Sequence, residues 1–241
     1  ADATGHGHDA QLWGGAAWTS GPYGGAVSFD GVNDQINVPS VGVNGDKVTL
    51  SAWIQSNGAQ TAWAGLIHTR ANGEDAGLLI GPDGELRYIW AGDSSTSAWA
   101  SGLKPPVGQW AFVALVVQAG KAVIHMHDGV SLKKAVHKYP HSPQTFSGLT
   151  HIGWNSAEED YRFAGDMADV RVYGRALGQS AIQDLVVLGG RAEAPVPHDG
   201  GVTGAPVLGW TSGVGAWSHH VYFGADYDAV RQADPSAPEY K

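Results

Sequence analysis

Apolar and polar residues alternate along most of this chain, and short clusters of Gly, Pro, Asn and Asp interrupt the alternation. A period of two turns one face of a strand toward a core and the other toward solvent. The clearest run, residues 47–55, puts Val48, Leu50, Ala52 and Ile54 on one face. Residues 26–29 and 35–38 read as strands joined by the turn Asp30-Gly31-Val32-Asn33, and 65–70, 77–80 and 85–91 follow, the last two separated by Gly81-Pro82-Asp83-Gly84. Residues 109–118 and 121–127 read as a hairpin around Ala119-Gly120, and 151–154 and 163–173 complete the set. Only residues 180–188 carry a helical pattern. Many strands, tight turns and one late helix predict an all-β fold: a two-sheet antiparallel β-sandwich, or jelly roll, with one short C-terminal helix. A βαβ architecture is excluded because no helical run separates the strands.

Residues 191–204 hold two prolines, three glycines and no periodicity, and read as a linker. Beyond it, 207–210 and 220–223 are short strand candidates ahead of a tail rich in Pro and Asp. This β-rich appendage, 205–241, is too short for a core of its own. The division expected is 1–190, a linker, and an extension packed on the sandwich.

Composition narrows the partners. Thirty-five Gly fit many turns, and the formal charge of −9 disfavours a nucleic-acid partner, which requires clustered Lys and Arg. The same balance suits neutral sugars and bound cations. The chain has no Cys, and no apolar run approaches the ~20 residues that span a bilayer, so membrane insertion is not expected.

Several segments carry a resemblance. Asp2-Ala3-Thr4-Gly5-His6-Gly7-His8-Asp9 followed by Gly25-Ala26-Val27-Ser28-Phe29-Asp30-Gly31, the strand 48–54, the strand 109–116, and the closing run from Phe163 to Leu177 resemble, in order, the laminin-G-like jelly rolls of the concanavalin A-like lectin/glucanase superfamily. The resemblance spans residues 2–188. It implies a carbohydrate-binding or adhesion role, a place in a larger extracellular, cell-surface or periplasmic bacterial protein, and a structural calcium ion where the opening turn meets the closing strand. The chain departs from the pattern by starting at the opening turn, without the strand that usually precedes it. Residues 208–224 resemble the first strands of a fibronectin-type-III-like module, which suggests a C-terminal strand filling the vacant first position and covering a sheet edge.

Four kinds of chemistry deserve weighing. Calcium takes six to eight oxygens, often from Asp side chains and carbonyls of Gly-rich turns. Asp2, Asp30, Asp34 and Asp166 are the metal candidates, against the plain alternative that Asp is common in turns. Among the ten Trp, Trp53 and Trp110 sit inside apolar alternation and read as core, whereas Trp63, Trp90, Trp99 and Trp154 lie at strand ends or in loops. An indole face stacks on the C–H face of a pyranose while polar neighbours fix its orientation. Arg70, Glu74 and Asp75 are those neighbours for Trp63. His125 and His127 share one strand face and could begin a transition-metal site, but local spacing supplies no third ligand, so a solvated polar face is the simpler reading.

Hydrolysis of a glycoside needs two carboxyl groups across the scissile bond. No Glu-x-Asp-x-x-Glu strand motif occurs, Glu158-Glu159-Asp160 is contiguous, and Glu74 or Asp75 with Asp93 would have to be assembled from distant segments. Neither a Gly-x-Ser-x-Gly elbow nor a P-loop is present. Three readings result: a calcium-stabilised, non-catalytic module binding a polysaccharide or glycan; a glycoside hydrolase with an unusual carboxylate pair; and a spacer whose Trp residues are all core.

Overall fold

The computed structural model describes residues 2, 4–58, 60–71, 74–188, 193–196 and 209–211. The first strands are β1 (Gln11–Trp13), β2 (Ala17–Gly21), β3 (Gly24–Asp30), β4 (Gln35–Val38), β5 (Asn44–Gly45) and β6 (Val48–Ser56). Next come β7 (Ala64–Ala71), β8 (Glu74–Ile80), β9 (Leu86–Ile89), the short helix α1 (Ser94–Ala98), β10 (Trp110–Gln118), β11 (Lys121–His127) and β12 (Leu132–His137). The remainder are β13 (Gln144–Thr145), β14 (Thr150–Ile152), β15 (Ala164–Tyr173), helix α2 (Gln179–Leu188), β16 (Glu193–Val196) and β17 (Gly209–Thr211).

Two sheets build the sandwich. One runs β1-β4-β14-β7-β8-β9, the other β12-β11-β10-β6-β15-β3-β2, and their neighbouring strands pair antiparallel. The predicted fold class is the observed one. Alternation explains the core: Val48, Leu50, Ala52 and Ile54 of β6 meet Ala76, Leu78 and Ile80 of β8, and Val113, Leu115 and Val117 of β10, in one buried cluster. The opposite face of β6 and β10 is also covered. Trp53, Phe112, Ala114 and Val116 pack there against Leu177 and, from α2, Ile182 and Leu185. Ile182 and Leu185 are three apart and so share one helix stripe. Trp53 is therefore core, as expected, and Trp110 is packed against the same cluster.

Short elements lie beyond what alternation reveals. β1, β2 and β12 are edge strands, and α1 is set by the Asp93 carboxylate, which accepts the Ser95 amide as an N-cap. Residues 1–186 form one compact unit and 187–241 a second. Within the second, β16 falls inside the segment 191–204 and pairs antiparallel with β17. The fibronectin-type-III-like extension and the strand expected from 205–224 lie outside the described residues, apart from β17.

Candidate functional site

α2 and its cluster cover the outer face of the seven-stranded sheet, and the candidate site lies on the outer face of the six-stranded sheet. Register assigns its side chains. Arg70 pairs with Asp75, His68 with Gly77 and with His151, and Leu79 with Arg87. All these alternate with core residues such as Ala76, Leu78 and Tyr88. The segment 154–162 crosses this face so closely that a Cβ at Gly65 would fall 2.2 Å from the Asn155 nitrogen. Only glycine fits beneath it.

A shallow depression of about 180 Å³ opens between that segment and β8–β9, lined by Trp63, Asp75, Leu79, Ile89, Ser97, Asn155, Ala157 and Tyr161. Trp63 holds a left-handed backbone, φ 63°, which a bulky residue adopts only when its surroundings impose it. Those surroundings are visible. The Trp63 carbonyl accepts Asn155 Nδ2 at 3.2 Å, and the Arg87 guanidinium lies 5.7 Å from the centre of its ring. Asn155 is buried, and its Oδ1 accepts the Ala157 amide at 3.1 Å, so it braces both walls.

Asp75 forms part of the lining. Arg70 Nε approaches its Oδ1 to 3.3 Å and His68 Nε2 stands 3.9 Å away. Burial pushes the Asp75 carboxyl above the ordinary carboxylate value, and the Arg70 charge only partly offsets it. Behind it, His68 is fully buried, and its Nδ1 accepts from the Ser156 amide at 3.3 Å and faces the Ser156 hydroxyl at 3.2 Å. Burial, then the neighbouring His151 and Arg70, bring His68 down to about 3, so it stays neutral at physiological pH. His68 Nε2 lies beyond hydrogen-bond reach of Asp75, and the Ser156–His68 contact ties the loop to the sheet.

The structure gathers Trp63, Asp75 and Arg70, and separates the other expected ligand residues. Glu74 accepts Gln144 Nε2 at 3.0 Å. Trp154 stacks on the Arg162 guanidinium at 4.1 Å and donates Nε1–H to the Glu158 carbonyl. Trp99 lies parallel to His137 at 4.8 Å, in a cluster with Tyr88. Trp90 is a core residue instead, 1 % exposed, with Nε1 donating to the Ser142 carbonyl. Its place in the apolar face of β9's continuation explains this, since Tyr88 and Trp90 share parity. His125 is also buried, and His127 accepts the Gly129 amide.

Sequence reasoning missed Asn155, Tyr161, Ser97, Leu79 and Ile89, because partners from four segments meet only in the fold. It also passed over Trp13 and Trp18, which are 56 % and 70 % exposed on the edge strands β1 and β2. Their signal was available: each indole sits beside small or polar residues, Gly14-Gly15 and Thr19-Ser20.

Three of the four aspartates serve turns. Asp2 accepts from the Thr4 amide (2.9 Å), the Thr4 hydroxyl (2.7 Å) and the amides of His6 (3.0 Å) and His8 (3.1 Å). Asp30 accepts the Val32 amide at 2.7 Å, and buried Asp34 accepts the amides of Gly15 and of Asp30, the latter at 2.9 Å. Asp166 stands mid-strand opposite Ser28 and Gln55. Among the described residues, no three His, Asp or Glu side chains converge as metal ligands. Chain N–H groups and the Thr4 hydroxyl take up the Asp2 carboxylate, whereas Asp34 accepts two amides and keeps lone pairs that a cation could share.

The sequence matches the family described as Laminin_G_3, concanavalin A-like lectin/glucanases superfamily, over residues 30–183. The fold is similar to domain 4 of AbnA, an extracellular arabinanase from Geobacillus stearothermophilus solved with arabinotriose, at 22 % identity and TM-score 0.63 over 76 % of this chain and 91 % of that one. It is also similar to Trypanosoma rangeli sialidase solved with the inhibitor DANA, at 18 % identity and TM-score 0.50, over 73 % of this chain and 28 % of that one. The receptor-binding domain of botulinum neurotoxin mosaic serotype C/D is matched at 14 % identity and TM-score 0.50, over 76 % of this chain and 46 % of that one. At these identities the likeness speaks for the fold alone. No curated protein matches the chain.

Proposed function

The chain belongs to the Laminin_G_3 family of the concanavalin A-like lectin/glucanases superfamily, and we propose that it is a non-catalytic carbohydrate-binding module of a larger extracellular protein. One observation carries the reading. On the outer face of the six-stranded sheet, a Trp held in a strained backbone borders a depression that is also lined by a carboxylate, Asp75, and by Ser97 and Tyr161. An aromatic wall beside a few convergent polar groups is the arrangement that orients a sugar. The arabinotriose bound to the arabinanase domain makes arabino-oligosaccharides a natural first probe.

Hydrolysis fits less well. It needs two carboxyl groups across one bond, and the depression is lined by a single carboxylate, Asp75. The spacer reading needs every indole sealed in the core, whereas Trp63 lines the depression and Trp13 and Trp18 are exposed.

The test is titration calorimetry against a panel of neutral glycans, paired with a reducing-sugar assay. Binding without release of reducing ends is expected, with Asp75→Asn weakening it about tenfold, equivalent to about 1.4 kcal/mol. Release of sugar abolished by a single Asp or Glu substitution would overturn the reading in favour of a hydrolase. Unchanged affinity in Asp75→Asn would move the site elsewhere.

A further inference from the structure

A second depression, of about 270 Å³, lies at the strand ends and is lined by Ser56, Gly58, Gln60, Gly81, Asp83 and Val107 among others. Arg87 reaches lining residues of both depressions. Its guanidinium lies 5.7 Å from the Trp63 ring on one side. On the other it packs over Gly81, where a Cβ would meet Arg87 Cδ at 2.5 Å, and pairs with Asp83 at 2.9 Å. Arg87 also donates to the carbonyls of Ser97 (3.3 Å) and Ala98 (3.0 Å), so it is fixed in place and its charge is committed.

We propose that the two depressions are consecutive subsites for one linear neutral oligosaccharide, with Trp63 and Arg87 forming the ridge between them. The inference rests on the glycan-binding reading and adds the ligand's class and minimum length. Size is the first argument. Each depression is smaller than the roughly 300–1,000 Å³ of sites that hold a drug-sized ligand, and only together do they enter that range. Each alone takes one small unit. Charge is the second. Each contains one carboxylate with a guanidinium beside it, Asp75 with Arg70 at 3.3 Å and Asp83 with Arg87 at 2.9 Å. Such pairs offer acceptors and donors to hydroxyl groups and little net field to an acidic sugar. The third is the ridge itself. A guanidinium over an indole gives a flat, rigid step across which a chain of rings can bend.

The experiment is calorimetry of the full chain with glucose, galactose, mannose, xylose and arabinose, each with its linear di- to pentasaccharides, and with uronic-acid counterparts. Val107 lines the second depression and is 63 % exposed, so Val107→Trp fills that space without disturbing the core. The trisaccharide of the favoured sugar is expected to bind about tenfold tighter than its monosaccharide. Val107→Trp should remove that advantage while the monosaccharide still binds at the Trp63 depression, and uronates should bind more weakly than neutral chains. Equal affinity for mono- and trisaccharide, or a Val107→Trp variant that keeps the trisaccharide advantage, overturns the two-subsite assignment and leaves the binding reading intact. Absence of binding to every sugar overturns both.

Discussion

Asp34 is 3 % exposed, and its two oxygens accept the amides of Gly15 and Asp30. It therefore fixes the turn that carries the chain from β1 in one sheet to β2 in the other. Gly14 in that turn has φ 78°, and a Cβ there would lie 2.4 Å from the Asn33 carbonyl oxygen. Replacing Asp34 by Ala strands two donors and is expected to cost about 1–3 kcal/mol in urea unfolding. The buried histidines make a pH-dependent prediction. Burial holds His68 at about 3, and holds His125 and His151 at about 4, against an ordinary 6.5. The unfolded chain takes up these protons first. The stability from keeping the rings neutral is thus fully present above pH 6.5 and is lost as pH falls toward 4 and then 3, by up to about 1.4 kcal/mol per pH unit for each ring. Urea midpoints at pH 7, 6 and 5 should fall in that order, and less steeply in His68→Gln; a flat profile would show that these rings are not buried. At this scale the sequence was informative for types and poor for roles. Asp34 was legible as a functional carboxylate in a turn, yet its partners are backbone amides, one of them 19 residues away. Trp90 and Trp63 look alike in sequence, and only the sheet's parity separates core from depression.

Among the elements, α2 closes the outer face of the seven-stranded sheet. Ile182 is fully buried where the helix meets Phe112 and Ala114 of the seven-stranded sheet. Ile182→Ala should cost about 2–5 kcal/mol, read from thermal or urea unfolding. Sugar affinity measured well below the melting temperature should be unchanged, because the depression lies on the other sheet. Long strands such as β6, β10 and β15 were readable because a period of two repeats often enough to stand out. β1 has only three residues, and the edge strand β12 carries Lys133 and Lys134, with few apolar positions to reveal its phase. Charged side chains on an edge also discourage pairing with another chain, so the feature that hid β12 from the pattern has its own use.

The whole molecule divides into two units, and both buried clusters lie within residues 26–185. A chain ending at residue 190 is expected to keep the cooperative melt of the sandwich and its sugar affinity, checked by circular dichroism and calorimetry. The calcium expectation is tested at the same scale: an ion held by these aspartates predicts that EDTA lowers the melting temperature, and a shift of less than about 2 °C would remove it. A larger fall would place a cation among them.

The far wall of the depression is a loop, and that has a consequence for how sugar choice can change. Segment 154–162 is fastened by Ser156 on His68, by Asn155 on the Trp63 carbonyl, and by Arg162 on the Asn33 carbonyl and Gln35. Of these loop fasteners Asn155 also lines the cavity, beside Ala157 and Tyr161. If the proposed glycan site is correct, exchanging Ala157 and Tyr161 should alter sugar choice while the strands beneath keep their partners.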